Sequence, residues 1–148
     1  MSQPDEILGN KDAPHIMKFQ YCGGWGYRKY VVAAIPKIEE CVGNDLFKYH
    51  LYMDPGVTGR LEVTVFANSK TEKGEGVVVH SKKATSKYIH DDYNSFYTAV
   101  ADAIGWGLWS RAWSYFGTPF CLNEFNYVIL KCLQPFKNDR SYKWCFAL

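Results

Sequence analysis

The chain has 148 residues, of which 47% are hydrophobic, 22% charged and 17% aromatic, and a net charge of +2. That length fits one domain, or one domain with an appendage, and the balance is that of an ordinary globular protein. So small a charge gives no reason to expect a nucleic acid or an anionic membrane as partner, and Lys82 and Lys83 read as part of a solvated face.

The start, Met1-Ser2-Gln3-Pro4-Asp5-Glu6, lacks the basic-then-apolar order of a secretory signal, and no apolar run reaches the length of a membrane span. Five cysteines (Cys22, Cys41, Cys121, Cys132 and Cys145) form an odd set with no metal-like spacing. The expectation is a cytoplasmic protein with reduced thiols and no disulfide framework. His15, His50, His80 and His90 show no ligand spacing with each other or with cysteine, so no metal site is expected.

In chain order, residues 1–13 are polar, carry Pro4, Gly9 and Asp12, and read as a flexible lead-in. His15 to Tyr21 is short, apolar-rich and closed by glycines, as a first strand would be. From Tyr27 the apolar residues Val31, Ala34, Ile35, Ile38 and Cys41 follow helical spacing up to Gly43-Asn44, with Pro36 inside the pattern to bend it. Phe47, Tyr49, Leu51 and Met53 alternate with Lys48, His50 and Tyr52, the period of a half-buried strand, and Asp54-Pro55-Gly56 turns the chain. Leu61, Val63 and Val65 give a third strand, and Val77 to His80 a fourth beyond a polar loop. Phe96, Ala99, Val100, Ala103 and Ile104 line a second helix, with Asp91, Asp92 or Asn94 available as cap.

The order strand, helix, strand, strand, strand, helix predicts an α/β domain over residues 14–107. It has a four-stranded mixed sheet with helices packed on it, a parallel pair and an antiparallel hairpin. This outline resembles a reduced thioredoxin-like architecture. Residues 108–148 differ in character and read as an aromatic C-terminal extension.

Cys22 stands where the first strand meets the first helix. Unpaired backbone N–H groups and the helix dipole favour a thiolate there, and the thiolate is the reactive form. Gly23, Gly24 and Gly26 allow a tight turn and are expected to leave the sulfur accessible, while Arg28 and Lys29 are close enough in sequence to add positive potential. A phosphate cradle is the other use of such glycines, but neither the GxxxxGK[ST] nor the GxGxxG spacing occurs. A buried structural cysteine is the plainer alternative. Cys41 is available as a second thiol, although its apolar-face position favours a structural role.

Four pieces in the same order resemble the selenoprotein W family of small thioredoxin-like proteins (the Rdx type). They are Tyr21-Cys22-Gly23-Gly24-Trp25-Gly26-Tyr27 as redox loop, Thr58-Gly59-Arg60-Leu61-Glu62-Val63 as a Thr-Gly element entering an edge strand, Val79 to Lys83, and Phe96 to Ile104 as last helix. The resemblance implies a thiol-based redox protein linked to glutathione or protein thiols, with no bound cofactor, Cys22 as first redox residue, and Thr58 and Gly59 beside it. The family's loop reads Cys-x-x-Sec or Cys-x-x-Cys, whereas this chain has Trp25 at the second position. An indole cannot close a disulfide or selenenylsulfide, so Cys22 is restricted to monothiol chemistry. Two origins of Trp25 stay open: a UGA codon read as tryptophan, or a genuine indole packed beside the thiol. A codon other than UGA at position 25 excludes the first. The other functional class is a non-catalytic module that binds a protein partner through the Cys22/Trp25 face.

Four of the five tryptophans (Trp106, Trp109, Trp113 and Trp144) lie at the C-terminal end. Trp106, Trp109 and Trp113 fall at helical spacing and are expected to extend the second helix, with Tyr127 to Leu130 as one more strand. Translation beyond a UGA at Trp106 or Trp109 is a second origin for this segment.

Overall fold

The computed structural model describes residues 3–106. Nine elements follow in order: β1 (Glu6–Gly9), β2 (His15–Cys22), α1 (Arg28–Val42), β3 (Phe47–Asp54), β4 (Leu61–Phe66), β5 (Val77–Ser81), the short α2 (Lys82–Thr85), a 3-10 turn (Ile89–Asp91) and α3 (Tyr93–Ala103). The strands form one mixed sheet in the order β1-β3-β2-β4-β5. β2 and β3 are parallel, joined through α1, and the other pairings are antiparallel. The molecule is therefore α/β with an open five-stranded sheet, one strand more than expected.

The extra strand lies in the segment read as a flexible lead-in. Glu6 to Gly9 pairs with Leu51 to Lys48 along the free edge of β3. Four residues with one half-buried leucine carry too little pattern to register as a strand; the edge they cover supplies the reason for their order. Asp5 extends this capping: its carboxylate accepts the Met53 N–H at 2.7 Å. A second correction concerns β4, which lies between β2 and β5 and is not an edge strand.

Alternation along the strands puts Met17, Phe19, Tyr21, Phe47, Tyr49, Leu51, Leu61, Val63 and Val65 on one face, all buried. Against them pack Val31, Ala34, Ile35, Ile38 and Val42 of α1 and Phe96 and Val100 of α3, in one continuous core. Burying each large apolar side chain contributes roughly 1.5–3 kcal/mol. The alternation fails at the end of β3, where Met53 is 52% exposed and Asp54 is buried. α1 runs through Pro36, which lies on its exposed side.

The opposite face carries Lys18, Gln20, His50, Tyr52, Glu62 and Thr64, half-buried. The β4–β5 connection closes over part of it. Glu72 takes hydrogen bonds from Tyr52 Oη at 2.5 Å and Lys18 Nζ at 3.0 Å, with His50 Nδ1 at 2.6 Å.

α3 is capped by Asp92, whose carboxylate accepts the Ser95 N–H at 3.1 Å. It ends earlier than expected. Gly105, at φ +85°, donates to Asp102, and the Trp106 N–H returns to Ala101 at 2.8 Å. This pair of reversed bonds stops the helix, so Trp106 does not extend it. Trp109, Trp113 and Tyr127 to Leu130 lie outside the described residues. Among the described residues, no helix is long and apolar enough to cross a membrane.

Candidate functional site

Cys22 is the last residue of β2, at the carboxyl end of the parallel pair and in register with Asp54 of β3. Open sheets with parallel strands place their reactive groups at such ends, because the chain leaves the sheet there and loops from several strands converge. Two loops meet at Cys22. The turn 23–27 leads into α1, and the connection 55–60 leads from β3 to β4.

Backbone hydrogen bonds lace the loops together. Gly23 N–H donates to the Asp54 carbonyl at 3.2 Å, Gly24 N–H to the Gly56 carbonyl at 2.9 Å, and Cys22 N–H to the Arg60 carbonyl at 2.8 Å. Gly24 is required by proximity: a Cβ there would lie 2.7 Å from Val57 Cγ2 and 2.8 Å from the Gly56 carbonyl oxygen. Gly26 is required by conformation, with φ +63° and open space around it. Gly23 shares the first reason, since its Cβ would meet the Asp54 carbonyl oxygen at 2.8 Å, and Gly59, at φ +66°, shares the second.

The Cys22 side chain has no solvent-accessible surface. This corrects the expectation that the glycines leave the sulfur accessible: the close approach they permit brings loop 55–60 against it. The thiol donates to the Gly56 carbonyl at 3.6 Å, and the Thr58 N–H points at Sγ from 3.2 Å. Burial pushes the thiol up, but hydrogen bonds from the backbone N–H groups of Gly59, Thr58 and Trp25 outweigh it and hold Cys22 below its ordinary range. Arg28 and Lys29 supply none of this. Arg28 is engaged by Glu6 at 2.8 Å, and Lys29 lies over the Tyr30 ring. The donors come from two loops and not from the first turn of α1.

Thr58 and Gly59 lie against the cysteine. Trp25 contributes its backbone N–H, while its indole is 59% exposed and meets Tyr27 edge-on at 6.1 Å between ring centroids. Met53 and Val57, 52% and 68% exposed, add apolar surface next to the glycine turn. Cys41 is buried on the core side of α1.

The chain matches no protein-family model, no curated protein and no solved structure. Its chemistry therefore rests on the geometry at Cys22.

Sequence reasoning missed the polar group behind the sulfur. Asp54, Gln20 and Arg60 come together there, with Gln20 Nε2 2.8 Å from Asp54 Oδ1 and Arg60 Nε 3.5 Å from Asp54 Oδ2. Asp54-Pro55-Gly56 reads as a turn, and nothing local marks its carboxylate as buried. The register between β2 and β3 is what brings it beside Cys22. Among the described residues, no group of three or more His, Cys, Asp or Glu side chains is arranged to hold a metal ion.

Proposed function

We propose that the protein is a thiol-based redox protein acting through Cys22, with glutathione or a protein thiol as partner and no bound cofactor. The observation that carries this reading is the Thr58 N–H held 3.2 Å from Sγ by loop 55–60, which favours the anion that does thiol chemistry. In the reaction envisaged, the Cys22 thiolate attacks one sulfur of glutathione disulfide. The S–S bond breaks, a Cys22–glutathione mixed disulfide forms, and the second glutathione leaves as a thiolate that takes up a proton. A second glutathione thiolate reverses the step. Because the sulfur is covered, exchange requires loop 55–60 or the turn at Trp25 to move aside.

The mixed five-stranded sheet with its parallel β2-α1-β3 unit supports a thioredoxin-like assignment and, with the motifs around Cys22 and Thr58-Gly59, membership of the selenoprotein W family. On that reading the protein is cytoplasmic and Trp25 stands at the position of the second redox residue. One test serves both points. With glutathione disulfide, the peptide bearing Cys22 is expected to gain one glutathione, reversibly, and Cys22→Ser to lose that signal completely. Trp25→Cys is expected to form an intramolecular disulfide with Cys22 in its place. Absence of glutathione on Cys22 at pH 8 overturns the redox reading.

A second reading is favoured by the exposed Trp25, Met53 and Val57 around a covered sulfur. It is a non-catalytic module that binds a protein partner through this face. An unreactive Cys22 of ordinary pKa supports it.

A further inference from the structure

Loop 55–60 has no secondary structure of its own, and it carries two glycines in the left-handed region, Gly56 at φ +79° and Gly59 at φ +66°. Its position against Cys22 must be imposed from outside. Asp54 is suited to impose it. The residue closes β3 in register with Cys22 and is 8% exposed, so its carboxylate is held where hydrogen bonds count most.

Its contacts reach both sides of the sulfur. On β2, Gln20 Nε2 donates to Oδ1 at 2.8 Å. On the loop, the Thr58 hydroxyl donates to Oδ2 at 2.9 Å, and Arg60 Nε lies 3.5 Å from the same oxygen. The Asp54 backbone carbonyl takes the Gly23 N–H at 3.2 Å. Thr58 is the link in this chain. With its hydroxyl held by Asp54, it turns its N–H to Cys22 Sγ at 3.2 Å and accepts the Arg60 N–H at 3.3 Å. Arg60 in turn receives the Cys22 N–H on its carbonyl at 2.8 Å.

We propose that Asp54 is a positioning residue for Cys22: its carboxylate anchors loop 55–60 through Thr58 so that the loop's backbone N–H groups face the sulfur. The inference deepens the reading of Cys22 as the reactive thiol and rests on it. Its sign is what separates it from plain electrostatics. A carboxylate near a thiol disfavours the thiolate, so charge alone predicts that removing Asp54 lowers the Cys22 pKa. Anchoring predicts the reverse, because the N–H donors are lost when the loop is released.

The experiment is the rate of iodoacetamide alkylation against pH on the full chain, read by mass spectrometry at the peptide bearing Cys22. Asp54→Ala is expected to raise the apparent pKa of Cys22 by about one unit with the far-ultraviolet dichroism unchanged. Asp54→Asn keeps an oxygen for the Thr58 hydroxyl and removes the charge, so it is expected to leave the pKa at or below the wild-type value. A lowered or unmoved pKa in Asp54→Ala overturns the proposal, as does a raised pKa in Asp54→Asn. If Asp54→Ala does not fold, Thr58→Val decides, since it keeps the Asp54 charge and removes the hydroxyl that the carboxylate holds: a raised pKa is expected, and an unmoved or lowered one overturns the proposal. A wild-type Cys22 of ordinary pKa counts against the redox reading instead, while the difference between variant and wild type still reports on the anchor.

Discussion

Cys22 owes its character to atoms that lie far from it in sequence. The Thr58 and Gly59 N–H groups come from another loop, and they oppose the cost of burying the sulfur. The cradle depends on a close approach at Gly24, where a Cβ would meet Val57 and the Gly56 backbone at 2.7 and 2.8 Å. Backbone cannot yield as a flexible side chain can. Gly24→Ala is therefore expected to push loop 55–60 away and to destabilise the fold by about 1–3 kcal/mol, as overpacking does. It should also raise the Cys22 pKa. Urea unfolding and the alkylation profile measure the two effects. At this scale the sequence singles out Cys22, its glycines and Thr58-Gly59, because each belongs to a short local pattern, and the structure brings them together. The sequence could not mark Asp54, whose value depends on the strand register that places it beside Cys22.

Helix α1 tolerates Pro36 because tertiary packing outweighs a local defect. Val31, Ala34, Ile35, Ile38 and Val42 are buried around it, while Pro36 itself stays on the exposed side. A helix-interior proline is worse than alanine by about 3 kcal/mol, partly offset by the ~0.4–1 kcal/mol that proline removes from unfolded-chain entropy. Pro36→Ala is accordingly expected to stabilise the protein by roughly 2 kcal/mol, visible as a raised melting temperature in calorimetry. The helices and central strands were legible from their periods of 3.6 and 2. β1 was not, because four residues with one half-buried leucine show no period; its order comes from the edge of β3 that it covers.

Taken as a whole, the molecule stores acid sensitivity on both sides of its sheet. Burial pulls His15 and His80 below their ordinary 6.5, so both favour the neutral form. Burial raises Glu72, but hydrogen bonds from Tyr52, His50 and Lys18 overcome this and hold it below its ordinary 4.5. All three groups have folded-state values lower than unfolded ones. The unfolded chain therefore takes up protons first as pH falls, and stability drops with it. The expected profile declines below 6.5 through the histidines and again below 4.5 through Glu72. Glu72→Gln should shrink the second decline, leaving the part owed to Asp92, whose carboxyl the Ser95 N–H holds below its ordinary value. It should cost about 1–3 kcal/mol at pH 7, since charged hydrogen bonds are weakened. Denaturant titrations across pH 3–8 on both proteins measure the difference.

The sequence by itself determined the types of the six longer elements (β2, α1, β3, β4, β5 and α3), the parallel unit with its antiparallel hairpin, the buried face of each apart from the end of β3, and the candidacy of Cys22. These are set by local periodicity and turn chemistry, which a single chain displays along its length. The tertiary structure decided that residues 6–9 form an edge strand, that α3 ends at Ala103, that the Cys22 sulfur is covered, and that Asp54 stands behind it. Each of these depends on which segments become neighbours across the sheet. No pattern within one segment carries that information, and the covering of Cys22 by loop 55–60 arises only from the meeting of two loops.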